Sequence, residues 1–102
     1  MPAFTTFAKD TLLDGCLGEC VSAIVLGDRG LLDMAADEER HAELAWEILD
    51  FLLSIEPRAA RAGIELALSE LDGARSMDEL SRAVMRDVVR PSAAGLVARY
   101  CT

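Results

Sequence analysis

The chain has 102 residues, 52% hydrophobic and only 5% aromatic, with 10 basic and 18 acidic side chains for a formal net charge of −8. A core of that size buries about 60–70% of the surface its unfolded chain exposes, so one compact domain over residues 1–102 is expected, and a core of Leu, Ala, Val and Ile suits packed helices better than stacked strands. The negative charge repels phosphate backbones, which argues against nucleic acid as a partner.

The N-terminal stretch "MPAFTTFAKD" lacks a basic start followed by an apolar run and a small-residue cleavage site, so no secretory signal is read there. The most apolar segment, "TLLDGCLGECVSAIVLG", is broken by Asp14 and Glu19 and is shorter than the ~20 residues of a membrane span, so no membrane partner is expected. Cys16 and Cys20, one helical turn apart among three cysteines, do not form the framework of a secreted disulfide protein; reduced thiols in the cytoplasm fit better.

Leu12, Cys16, Glu19, Ala23 and Leu26 recur at steps of three and four, which predicts a first helix over 10–26. "GDRG" at 27–30 supplies a glycine to end it and Asp28 to cap the next helix, so two antiparallel helices joined by a short turn are expected. The second helix, about 29–55, carries Leu31, Met34, Glu38, Ala42, Ala45, Leu49 and Leu52 on one stripe, with Glu39, Glu43, Glu47, Asp50 and Ser54 opposite. A third helix follows, with Pro57 at its first position and Gly73 past its end. A fourth begins at a capping box of Ser76 and Glu79 and stops at Pro91, and neither of these last two places an acid on its apolar side. The tail "PSAAGLVARYCT" either adds a short helix or frays. The expected fold is therefore all-α: a metal-site hairpin over 10–55 and accessory helices over 57–102.

Two acids break the apolar pattern. Glu19 and Glu38 sit on otherwise apolar stripes, and an unpaired buried carboxylate costs several kcal/mol unless it shifts its pKa or finds a cation. Glu19 lies eight residues before Gly27 and Glu38 eight after Gly30. At ~1.5 Å per residue each is roughly 12 Å from the turn, so the two carboxylates face each other across the helix pair. His41, the sole histidine, is one turn beyond Glu38 on the same side. Two carboxylates and an imidazole at one level suit a hard-to-borderline ion, iron or alternatively manganese, with zinc a poorer match. Gly15, Gly18, Ala42 and Ala45 would let the helices approach, and Asp37 is placed to accept the remaining imidazole N–H.

Glu19 on one helix and "EERH", an E-x-x-H pattern, on its antiparallel partner resemble the half-site of the ferritin-like di-iron carboxylate proteins. "DGCLGE" with "ADEERHAELAWEIL" looks more narrowly like bacterial ferritin-like domain proteins, over about residues 10–55. The resemblance implies a di-iron site with Glu38 as bridging ligand, Glu19 as terminal carboxylate and His41 as terminal nitrogen ligand. It also implies Fe(II) oxidation by oxygen or peroxide, an oxidoreductase activity. One chain carries half of the four carboxylates and two imidazoles the family site uses, so a homodimer that completes a four-helix bundle and the site is the expected partner arrangement. Two other readings stay open: a metal-free helical interaction or structural module, and a C-terminal fragment or degenerate copy of a larger ferritin-like protein. Cys16 and Cys20 read as small buried hydrophobes, the rival being a zinc site with His41 that leaves Glu19 unexplained. Trp46 reads as a core or interface residue, or as an electron relay beside an oxidative metal.

Overall fold

The computed structural model describes residues 2–100, and within them the chain is all-α. Four helical rods follow one another. The first is continuous from α1 (Pro2–Asp10) through a π-helical stretch (Thr11–Gly18) into α2 (Glu19–Asp28). The second is α3 (Leu32–Ile55) and the third α4 (Pro57–Gly73). The fourth runs from α5 (Glu79–Val84) through a second π-helical stretch (Met85–Val89) into α6 (Arg90–Tyr100).

The first rod begins well before residue 10. Its opening turns are held by tertiary packing on α4, since Ala8 and Leu12 are fully buried, Thr5 Oγ1 donates to the Ala59 carbonyl at 3.1 Å, and Lys9 pairs with Glu70 at 2.6 Å. Close approach of these helices depends on Gly63, where a Cβ would fall 2.2 Å from the Thr5 carbonyl oxygen. "FTTF" has little helix propensity of its own, so packing decides its conformation.

The hairpin turn is a Schellman motif on Gly30, not a stop at Gly27. Gly27 stays inside α2, Gly30 takes the left-handed φ of +79°, and the Leu31 and Gly30 N–H groups donate to the Leu26 and Gly27 carbonyls, both at 3.0 Å. Asp28 ends α2 and caps nothing; α3 starts at Leu32 with Leu31 at its N-cap and no side-chain cap. At the other end of α3 one residue suffices as a corner. Glu56, held out of the helical region by Pro57, turns the chain at φ −140° and ψ 70°, and Pro57 opens α4.

The fourth rod corrects two expectations. Its cap is Asp78, whose carboxylate accepts the Ser81 N–H at 2.8 Å, two residues along from the Ser76/Glu79 box. Pro91 does not stop it. The Met85–Val89 stretch widens the helix just before the proline, with the Arg90 N–H reaching back to the Met85 carbonyl, and the chain stays helical to Tyr100. The tail thus adds a helix, although Cys101 and Thr102 lie outside the described residues.

Leu12, Cys16, Leu49, Leu53, Ile64 and Val89 form the dry centre, where all four rods meet. The α3 stripe is buried only from Ala45 onward. Nearer the turn, Leu31 and Met34 are 45% and 54% exposed, because α4 and α6 cover the far half of the hairpin and leave its tip bare. No helix among the described residues is long and apolar enough to cross a membrane.

Candidate metal centre

Glu19 is the first residue of α2, directly after the π-helical stretch, so the ten residues from it to the turn are regular α-helix and rise at the same rate as α3. The mirrored heights of Glu19 and Glu38 follow from that. One turn below, Gly15 sets the interhelical distance: a Cβ there would come 2.5 Å from the Cβ of Ala45. Gly18 has room for a side chain, so the contact is made by Gly15 and Ala45 and not by all four small residues.

The three residues singled out by their pattern come together. His41 Nδ1 lies 3.6 Å from Glu38 Oε1 and 3.8 Å from Glu19 Oε2, and one donor atom from each residue falls within 4.8 Å of the other two. Ligands about 2.1 Å from a common ion are separated from each other by about 3–4 Å. Small side-chain rotations would close this set around a cation. Among the described residues it is the one group of three or more such donors that converges in this way.

Its environment differs from the buried one the apolar stripes suggest. The Glu19 and Glu38 side chains are 31% and 25% exposed and that of His41 is 58% exposed, so the trio lies on an open face of the hairpin and not inside a closed bundle. No charged side chain is fully buried among the described residues. This is why the carboxylates are tolerated in a single chain: water still reaches them. Asp37 also departs from expectation, since its carboxylate pairs with Arg40 instead of orienting the imidazole.

Cys16 and Cys20 behave as apolar groups. Burial pushes the Cys16 thiol up to about 12, and Cys20 is raised chiefly by burial and then by the charge of Glu39, so both are neutral thiols at physiological pH. Neither belongs to the converging donor set, which leaves the sulfur-rich zinc alternative without support. Trp46 is half-buried and packs against the core.

Beside His41 the structure adds a feature that stripe analysis missed. A groove of about 330 Å³ runs between the first rod and α3, lined by Phe7, Asp10, Thr11, Asp14, Leu44 and Ile48. The signal was present in the sequence: Leu44, Ile48, Phe51 and Ile55 repeat at steps of four, three and four, next to the buried row.

No family model, curated protein or solved structure matches the chain. The functional reading therefore rests on the geometry of Glu19, Glu38 and His41.

Proposed function

We propose that this chain is a ferritin-like metal-binding protein in which Glu19, Glu38 and His41 hold iron, each chain providing half of a di-iron site. One observation carries the reading: two carboxylates and an imidazole, from two antiparallel helices, have donor atoms within 4.8 Å of one another on an open face. Oxygen and nitrogen donors of this kind suit Fe(II) or Mn(II), and a metal would also neutralise the negative charge gathered where the helices meet. Glu38 and His41, one turn apart on a rigid helix, fix the geometry of two donors, while Glu19 closes the set from the facing helix.

A second chain related by a two-fold axis would bring the donors to four carboxylates and two imidazoles. Such a set nearly neutralises two divalent ions and favours the ferric state, so Fe(II) as substrate, oxidised by oxygen or peroxide, is the reaction class it fits. Free, neutral thiols at Cys16 and Cys20 fit a reducing compartment such as the cytoplasm.

Anaerobic Fe(II) titration of the purified protein tests the reading. The expected result is about one ion per chain, lost in Glu38→Ala. A protein that binds no iron or manganese, and whose melting is unchanged by a chelator, would instead be a helical interaction module. The exposed Leu32, Met34, Leu44 and Phe51 are the observation that favours this second reading.

A further inference from the structure

The net charge of −8 is not spread evenly along the chain. Residues 1–56 hold 3 basic and 12 acidic side chains, whereas residues 57–102 hold 7 basic and 6 acidic ones. Four of those seven, Arg75, Arg82, Arg86 and Arg90, fall within sixteen residues. Arg82, Arg86 and Arg90, at successive steps of four along the fourth rod, line a cleft of about 340 Å³ beside the end of α4, together with the apolar side chains of Leu71, Met77 and Met85.

The partners of these arginines differ. Arg82 donates through Nε to the Met77 carbonyl at 3.0 Å and through a terminal nitrogen to the Arg75 carbonyl at 3.3 Å, and it has no carboxylate partner among the described residues. Uncharged oxygens fix the plane of that guanidinium and leave its positive charge uncompensated. Arg86 pairs with its neighbour Asp87 at 2.8 Å, and Arg90 pairs with Asp72. Both pairs are open to water, which screens them, so an incoming anion can displace either carboxylate.

A second groove adjoins the first at Arg90. The same arginine lines a trough of about 410 Å³ between α4 and α6, whose apolar lining is Ile64, Leu68, Ala93, Ala94, Val97 and Ala98. Three alanines on α6 leave that space unfilled, and the trough follows the helix for about 12 Å from Arg90 to Ala98. Arg61 and Glu65, which also line it, pair with each other at 2.9 Å and bring no net charge.

We infer that the two grooves form one site for a single-chain anionic amphiphile, a long-chain phosphate monoester. Its head lies among Arg82, Arg86 and Arg90, and its chain runs along the trough toward Ala98. A phosphate monoester offers three terminal oxygens to three guanidiniums, which suits the cleft better than a carboxylate with two. Bare phosphate would leave the trough wet, and a neutral chain would leave Arg82 without a counter-charge; a molecule with both parts uses both grooves. The site shares no residue with Glu19, Glu38 and His41 or with the groove beside them, so it stands independently of the metal reading.

The test is isothermal titration of the full chain with decyl phosphate below its micelle concentration, with decanol and inorganic phosphate as its separate halves. Saturable binding is expected, at least about 10-fold tighter than either half. Arg86→Gln, an exposed change that leaves the core intact, is expected to weaken binding of decyl phosphate by about 10-fold or more. Asp72→Asn should strengthen it, because Arg90 loses the carboxylate that competes with the ligand; a merely structural role for that pair would give no gain. Ala94→Trp, at an exposed position, fills the trough and should abolish the advantage of decyl phosphate over inorganic phosphate while the circular dichroism spectrum stays that of wild type. Decyl phosphate held no tighter than decanol or inorganic phosphate, or an advantage that survives Ala94→Trp, overturns the inference.

Discussion

The convergence of His41 on two acids, more than the acidity of the region, is what sets Glu19, Glu38 and His41 apart as the proposed metal donors. Asp37 and Arg40 share the same turns of α3, but they satisfy each other and leave the donor set to Glu19, Glu38 and His41. Replacing His41 with alanine is therefore expected to weaken Fe(II) binding by more than about 100-fold, beyond the 10–100-fold lost with an outer-shell partner, and Asp37→Ala to leave it within a few-fold; isothermal titration distinguishes them. A second residue-scale prediction concerns Cys16. Its thiol is raised from 9.0 to about 12 in the folded chain because the charged form would be buried. The folded state keeps a proton that the unfolded state gives up, so the contribution of Cys16 to stability is complete below pH 9 and is lost as pH rises from there toward 12. Urea unfolding across that window should show stability falling more steeply for wild type than for Cys16→Ala.

At the scale of elements, the positions that punctuate the chain divide into those readable in advance and those that required the tertiary structure. Pro57, preceded by a residue it forces out of the helix, marked the α3 to α4 corner correctly. The hairpin was legible, but which glycine ends α2 was not, because both Gly27 and Gly30 can take a left-handed turn and only the hydrogen bonds to the Leu26 and Gly27 carbonyls choose between them. Gly30→Ala should accordingly cost about 1–2 kcal/mol, the penalty of the left-handed conformation for a residue with a Cβ, whereas Gly27→Ala should be neutral or stabilising; chemical denaturation separates the two. Pro91 misled for a physical reason. A missing N–H ends a regular helix, but a π-helical turn just before it rearranges the hydrogen-bond ladder and lets the rod continue. The heights of Glu19 and Glu38 could be read from residue counts because the first π-helical stretch ends at Gly18, leaving only regular helix between Glu19 and the turn. Burial was less legible: the tip side chains Leu31 and Met34 share a stripe with Ala45 and Leu49, and nothing in the stripe tells how far along it the covering helices reach.

For the molecule as a whole, the function proposed above asks two chains to complete one donor set, and on that reading association and metal binding are coupled. If two chains must meet to complete the donor set, then metal and partner each strengthen the binding of the other by the same factor. The apparent Fe(II) affinity should therefore rise with protein concentration until the dimer is saturated and then level off, and adding Fe(II) should make the dimer resist dilution. Leu44→Glu provides the sharper case, because Leu44 lines the groove but is not one of the three converging donors. It should weaken Fe(II) binding while leaving the helical content of each chain unchanged by circular dichroism. Recovery of Fe(II) affinity in this variant at higher protein concentration would identify the loss as one of association. Affinity independent of concentration in both proteins would mean that a single chain binds its ion unaided, through Glu19, Glu38 and His41 and water.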